Sequence, residues 1–191
     1  MFDWTHYFPK VNNRYLPLEK IDDYLKNVNK PFCLIIASDY PHGPFPKTDN
    51  YSKADIFKLP YDPNYVGNHK PGYYQNIQDD NDQLGKVLEM VDNYGHEENS
   101  MFIYASDHGL SGKWSLQEQG LRLPFIVRWP GKTKPNTTSK TLLTLVDVLP
   151  TILEVSKTKI PRELDGKSFV ESLKGDDKQI NEYIYLSLIH I

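Results

Sequence analysis

A single cysteine, Cys33, stands in a chain of 191 residues, so no internal disulfide is available and a folded state must rest on its core. Cys33 falls in the apolar run Phe32–Ala37, where a buried and chemically inert thiol is expected. No stretch approaches the ~18–20 consecutive apolar residues that a bilayer-spanning helix requires. Basic blocks are also absent. With 22 Lys+Arg against 25 Asp+Glu, a net charge of −3 and no run of five basic residues, the chain lacks the footprint of a nucleic-acid binder or of a protein held on anionic membranes. The opening MFDWTHYFPKVNNRY has no basic segment followed by an apolar one, so the sequence as written carries no secretory leader. What is present is apolar and aromatic. Hydrophobic residues reach 39% and aromatics 13%, enough for a real core, and the length suits one compact domain or part of a larger one.

Periodicity divides the chain into alternating elements. Leu18, Ile21, Leu25 and Val28 recur at helical spacing, predicting a helix over Leu18–Val28 that Pro31 ends. Phe32–Ala37 reads as a strand covered on both faces. It leads into Ser38–Pro46, whose three prolines, Pro41, Pro44 and Pro46, forbid a ladder or a helix. Thr48–Gly72 reads as a long loop or lid, with Tyr61, Tyr65 and the following Tyr73 able to stack on a sugar or simply to pack. Tyr73–Tyr94 reads as a long amphipathic helix with Ile77, Leu84, Val87, Leu88 and Val91 on one stripe and Gly95 closing it. Met101–Ala105 is predicted as a second buried strand, Ser106–Trp114 as the loop after it, and Leu123–Trp129 as a third strand. A helix with Asp147 as N-cap, Pro150 in its first turn and Leu149, Ile152 and Leu153 inward follows. A short helix over Ser168–Leu173 lies between Gly166 and Gly175. The closing LSLIHI, with His190, reads as a tail foreign to the domain. This order is α/β, and ligands of such folds sit beyond the carboxyl ends of strands, where the loops after Ala37 and Ala105 emerge.

Three constellations on those loops can carry chemistry. Asp107-His108-Gly109 follows a strand directly: carboxylate and imidazole can ligate a cation, and glycine lets the backbone turn around it. The tripeptide serves an ordinary turn equally well. Lys113 lies on the same loop and can neutralise an oxyanion or protonate a leaving group, or act as a solvated charge. His42, set between prolines in YPHGPFP, is rigidly presented and can donate to an anion or shuttle a proton.

The order of these motifs resembles the C-terminal part of the sulfatase catalytic domain, within the alkaline-phosphatase-like superfamily. The matching stretches are YPHGPFP, then DNDQLGKVLEMVDNYG, then ASDHGLSGKWSLQEQGLRLPFIVRWPG, followed by LVDVLPTILEV and IPRELDGKSFVESLKG. The style is closest to heparan N-sulfatase and iduronate sulfatase, in which Gly-Lys-Trp follows Asp-His-Gly at short range. The resemblance implies an alkaline-phosphatase-like α/β sandwich with a mostly parallel central sheet. It implies residues 1–30 as an irregular or helical connecting segment, 31–185 as the C-terminal part of the catalytic domain, and 186–191 as the non-native tail. Asp107 and His108 would be metal ligands, most simply to calcium, although an imidazole leaves room for manganese or zinc. Lys113 and His42 would contact the sulfuryl group or the leaving oxygen.

The family's early Asp ligands and its Cys/Ser-x-Pro-Ser-Arg motif, whose first residue becomes the formylglycine nucleophile, have no counterpart among these residues. Cys33 precedes Leu-Ile-Ile and cannot replace it. The expectation is therefore an N-terminally truncated piece, inactive by itself, of a sulfuric ester hydrolase acting on a sulfated sugar, either as an O-sulfate or an N-sulfate. A phosphodiesterase or phosphonate hydrolase of the same superfamily is one alternative, and a catalytically dead binder of sulfated glycans is another. Asn50-Tyr51-Ser52 and Asn136-Thr137-Thr138 are glycosylation acceptors by sequence, consistent with a secreted or lysosomal protein.

Overall fold

In a computed structural model the chain separates into two compact units, residues 1–97 and 98–191. The structure describes residues 14–52, 71–109, 116–159, 163–175 and 179–186.

The first unit is built on two helices, α1 (Leu18–Asn27) and α2 (Pro71–Asn93), which pack together. Ile21 and Leu25 of α1 are buried, as are Val87 and Val91 of α2, so the apolar stripes meet over the second half of the long helix. Burying each of these side chains contributes about 1.5–3 kcal/mol. Tyr94 Oη donates to Asp22 Oδ1 at 2.8 Å, and His96 Nε2 lies 2.9 Å from the Leu25 carbonyl, closing the far end of the pair. Gly95 terminates α2 as expected: at φ 73° it lets its own amide reach Asp92 O and the His96 amide reach Val91 O, a Schellman closure. Helix α2 starts at Pro71, slightly earlier than its periodicity indicates, and Ile77 is exposed rather than on the buried stripe.

Phe32–Ala37 belongs to no strand or helix. Ile35 is 65% exposed and Cys33 is exposed, contrary to the expected buried thiol. The physical reason is that a strand hidden on both faces needs neighbours on its edges and faces, and among the described residues none pairs with this segment.

In the second unit, β1 (Phe102–Ala105) and β2 (Phe125–Arg128), with the one-turn helix α3 (Glu118–Leu121) between them in the chain, pair antiparallel, with Phe102 opposite Arg128 and Ala105 opposite Phe125. This is the one sheet among the described residues, so the mostly parallel central sheet expected from the sequence is not observed there. The strands are not doubly buried either. Tyr104 and Ile126 are exposed, because an antiparallel pair needs covering on one face only. The covered face meets Phe169, whose ring stands edge-on to Phe125 at 5.6 Å.

Around Phe169 the chain is organised by Asp147. A 3-10 turn (Leu145–Asp147) runs into α4 (Val148–Val155), and Thr144 caps it. Asp147 stands at the expected N-cap position of that helix but makes no side-chain capping bond to it; it is instead the third residue of a capping box, its Oδ2 accepting from Thr144 N at 2.9 Å. Only 1% exposed, it also accepts from Lys167 N at 2.8 Å and from Asn181 Nδ2 at 3.0 Å. Its carbonyl accepts from Thr151 Oγ1 at 2.7 Å, and that hydroxyl accepts from Phe169 N at 3.1 Å. One buried carboxylate thus draws the Asp-Gly-Lys-Ser-Phe segment onto α4, with α5 (Val170–Leu173) following. The closeness is such that a Cβ at Gly166 would fall 2.0 Å from Val146 O, so only glycine fits. This docking turns α4 so that Pro150 and Thr151 are buried and Leu149, expected inside, is exposed.

Replacing Asp147 with Ala leaves two backbone amides and an Asn181 amide without their acceptor, and is expected to lower stability by about 3 kcal/mol. Asp147→Asn, which keeps the shape and one carbonyl oxygen, loses less. The urea unfolding midpoints of the two variants check the order.

Candidate functional site

The loop after the Phe32–Ala37 segment carries His42. Its prolines lack amide hydrogens, so the loop holds more carbonyl acceptors than donors and must be supplied from outside. Arg14 supplies most of them. Its Nε donates to Asp39 Oδ2 at 2.7 Å, one terminal nitrogen donates to Pro44 O at 3.0 Å, and the other donates to Asp39 O at 2.9 Å and to His42 O. The guanidinium also lies 4.6 Å from the centre of the Tyr40 ring. From α2, Asn76 Nδ2 donates to His42 O at 2.9 Å, and Asp80 Oδ1 accepts from Ser38 Oγ at 2.5 Å. Asn76, Asp80 and Gln83 occupy the buried face of α2, where apolar residues ordinarily stand, because Asn76 and Asp80 meet the polar loop and Gln83 accepts from Leu16 N ahead of α1. Gly72 permits the approach: a Cβ there would fall 2.1 Å from Pro46 O.

His42 itself is exposed, and its Nδ1 lies 2.7 Å from the Gly43 carbonyl. A carbonyl only accepts, so Nδ1 carries the proton and Nε2 is the nitrogen left to meet a ligand. The expected loop beyond it is partly anchored: Thr48 Oγ1 and Asn50 Nδ2 both donate to Gln75 Oε1, at 3.1 and 2.7 Å. Phe45, Tyr73, Tyr74 and Tyr51 form a chain of ring contacts alongside, each pair 5.8–5.9 Å between centres. Burial raises the Tyr73 phenol pKa, with Tyr74 adding to the effect, and burial likewise raises that of Tyr40, helped by Tyr15.

In the second unit, Asp107 and His108 follow β1 directly. The turn is held by Ser106 Oγ donating to His108 O and by Gly109 N donating to Gly120 O at 2.8 Å. His108 Nδ1 lies 2.7 Å from Gly109 O, the same arrangement as at His42, so in the Nδ1–H tautomer that this contact requires Nε2 is the nitrogen left for a ligand. Nε2 stands 3.8 Å from Asp107 Oδ1, and the Asp107 side chain is 81% exposed. Two donors at that separation can share one cation, since metal–ligand distances are about 2.0–2.6 Å. A hard oxygen and a neutral imidazole suit a divalent ion, so the pair fits part of a metal shell. Among the described residues no third His, Cys, Asp or Glu joins them.

Lys113, the third expected site residue, lies outside the described residues, as do Trp114, Tyr61, Tyr65 and His190. Asn136 is exposed on a turn at φ 55°, whereas the exposed Asn50 already commits its side-chain amide to Gln75. Sequence reasoning missed Arg14 and Asn76. The signal that could have found them is the polar series Asn76, Asp80, Gln83 at helical spacing, in phase with the buried Val87 and Val91.

A proline-bound histidine loop, a helix, and an Asp-His turn at a strand end follow one another along the chain in the order expected of a sulfatase, and comparison shows the family. The Sulfatase family model matches residues 15–158, and the chain belongs to that family. It is 43% identical over 180 residues to an ulvan-active sulfatase of Formosa agariphila, a match covering 92% of this chain and 36% of that protein. It is 29% identical to an endo-4-O-sulfatase of Bacteroides thetaiotaomicron, covering 86% of this chain and 39% of that one. Among solved structures, that of Ps i-CgsB in complex with k-i-k-neocarrahexaose superposes with a TM-score of 0.68 at 22% identity, covering 85% of this chain and 37% of the other. This likeness shows the sulfatase, alkaline-phosphatase-like fold. The chain spans between a third and two fifths of the length of these relatives.

Two outcomes check the geometry. In the neutral state, ¹⁵N shifts of labelled His42 and His108 are expected to report protonated Nδ1 and bare Nε2; the opposite tautomer at His42 contradicts the Gly43 contact. Because the Tyr40 and Tyr73 phenols have raised pKa values, the folded form holds their protons longer than the unfolded chain. Their contribution to stability is whole below the ordinary phenol value of about 10 and is lost as pH rises through the raised values. Ultraviolet titration is expected to show tyrosines ionising late.

Proposed function

We propose that the protein carrying this sequence hydrolyses sulfate esters on a sulfated carbohydrate, with Asp107 and His108 binding one divalent cation and Lys113 and His42 contacting the sulfuryl group. The observation that carries the reading is the Asp107–His108 pair, two donors 3.8 Å apart on one turn, in a chain of the sulfatase family. The 43% identity to an ulvan-active sulfatase supports a sulfated polysaccharide as substrate class.

A sulfate monoester spreads negative charge over its non-bridging oxygens, and its cleavage builds charge on the leaving oxygen. When bound, the cation, calcium in this proposal, supplies a fixed positive charge that polarises the sulfuryl oxygens. Asp107 supplies hard oxygen to it, and His108 supplies Nε2 while its Nδ1 stays tied to Gly109. Lys113 places an ammonium against a sulfuryl oxygen, stabilising charge as it develops. His42, with Nδ1 bonded to Gly43, acts through Nε2 in its doubly protonated form, donating to a sulfuryl oxygen or giving that proton to the leaving oxygen. The nucleophile, formylglycine by the family's habit, is not assigned to any of these residues. Secretion is part of the proposal, with Asn136 on its exposed turn as the more open glycan acceptor.

The test is release of inorganic sulfate from ulvan by the full-length protein, with sulfated glycosaminoglycan chains in parallel. Sulfate release is expected, with kcat/KM falling by about 10²–10³ in Lys113→Ala and in His42→Ala. Faster cleavage of phosphate diesters or phosphonate monoesters than of any sulfate ester overturns the assignment. Tight binding of the sulfated glycan without turnover, with metal bound, replaces it by a binding role.

A further inference from the structure

Three polar side chains, Asn76, Asp80 and Gln83, are buried on α2, which helical propensity does not explain. Asn76 is 1% exposed, and Nδ2 reaches Pro41 O at 3.4 Å as well as His42 O at 2.9 Å. Arg14 reaches the same His42 carbonyl from the other partner set, along with Asp39 O and Pro44 O on either side. A carbonyl has two acceptor lone pairs, and that of His42 meets two side-chain donors, one from the segment ahead of α1 and one from α2. The peptide on the N-terminal side is held too, by His42 N donating to Asp39 O at 3.2 Å. On the C-terminal side the imidazole closes onto Gly43 O. A residue gripped at its amide, its carbonyl and one ring nitrogen has little freedom left at φ, ψ or χ, so Nε2 is aimed by the scaffold rather than by solvent.

We propose that Asn76 and Arg14 are positioning residues that fix the direction of His42 Nε2 for the reaction; the inference rests on the role given to His42 above. Neither residue needs to touch substrate. Their energetic effect is preorganisation: an exposed histidine on an untethered loop would sample several orientations, whereas a transition state benefits only from the one in line with the reacting oxygen. Arg14 is suited to this because its planar fork serves three carbonyls and one carboxylate at once, which a lysine cannot do.

The experiment is a double-mutant cycle on the full-length protein, scored by sulfate release from the sulfated carbohydrate that it turns over. Asn76→Ala removes one donor from a carbonyl that Arg14 still serves, so the fold is retained. It is expected to lower kcat about tenfold with KM within twofold. In a His42→Ala background the same change is expected to cost nothing further, because there is no imidazole left to aim. Arg14→Lys serves as the second variant and is expected to follow the same pattern. Equal fold-losses in the two backgrounds, or a loss confined to thermal stability, overturn the positioning role while leaving that of His42 intact. Full activity of His42→Ala itself overturns the role of His42, and the positioning role falls with it.

Discussion

The constraint on which the first unit depends is a shortage of hydrogen-bond donors in one loop. Pro41, Pro44 and Pro46 remove amide hydrogens from a stretch that still presents every carbonyl, and a carbonyl turned inward without a donor is costly. The surrounding residues answer that shortage. Arg14 and Asn76 supply donors, Asp80 receives the Ser38 hydroxyl, and Gly72 gives up its side chain so that Pro46 O can come close. The long helix therefore has two kinds of inner face, polar where it meets the loop and apolar where it meets α1. Stiffness at His42 is a consequence of how those carbonyls are satisfied.

The second unit solves a related problem with opposite charge. Here a buried acceptor, Asp147, gathers donors from a cap, from the Gly166–Lys167 turn and from Asn181, and the Thr151 hydroxyl extends the network to the Phe169 amide. Burying a carboxylate is tolerable only with such company. The network places Phe169 under the covered face of the β1–β2 pair, and the Asp107–His108 turn leaves the end of that pair. In both units a histidine on a turn has its Nδ1 bonded to the carbonyl of the following glycine, His42 exposed and His108 half-buried.

Much of this was legible in the residues. The helices over Leu18–Asn27 and Pro71–Asn93 follow from apolar periodicity, the Gly95 closure from its place after the last turn, and the strands ending at Ala105 and Arg128 from short apolar runs. His42, Asp107 and His108 were legible because their neighbours are Pro and Gly, whose backbone restrictions mark out presented side chains. Arg14 was not legible, since its partners lie 25 to 30 positions away and nothing in its own neighbourhood announces them. The burial of Cys33 and Leu149 was misjudged for a shared reason. Apolar character says that a side chain can be buried, but which face is covered depends on the partner that arrives.

The sequence alone determined the positions of helices and loops, the residue types at the chemistry-bearing turns, and the family to which those motifs in that order belong. These are local properties, set by periodicity, by the fixed φ and missing amide of proline, and by ordered short motifs. The tertiary structure alone decided which donors satisfy the His42 loop, that Asp147 acts as the hub of a network instead of a cap, that β1 and β2 pair antiparallel with one face open, and which nitrogen of each histidine is left for chemistry. Those outcomes depend on groups distant in sequence meeting within hydrogen-bond reach, and a short-range pattern carries no record of such meetings.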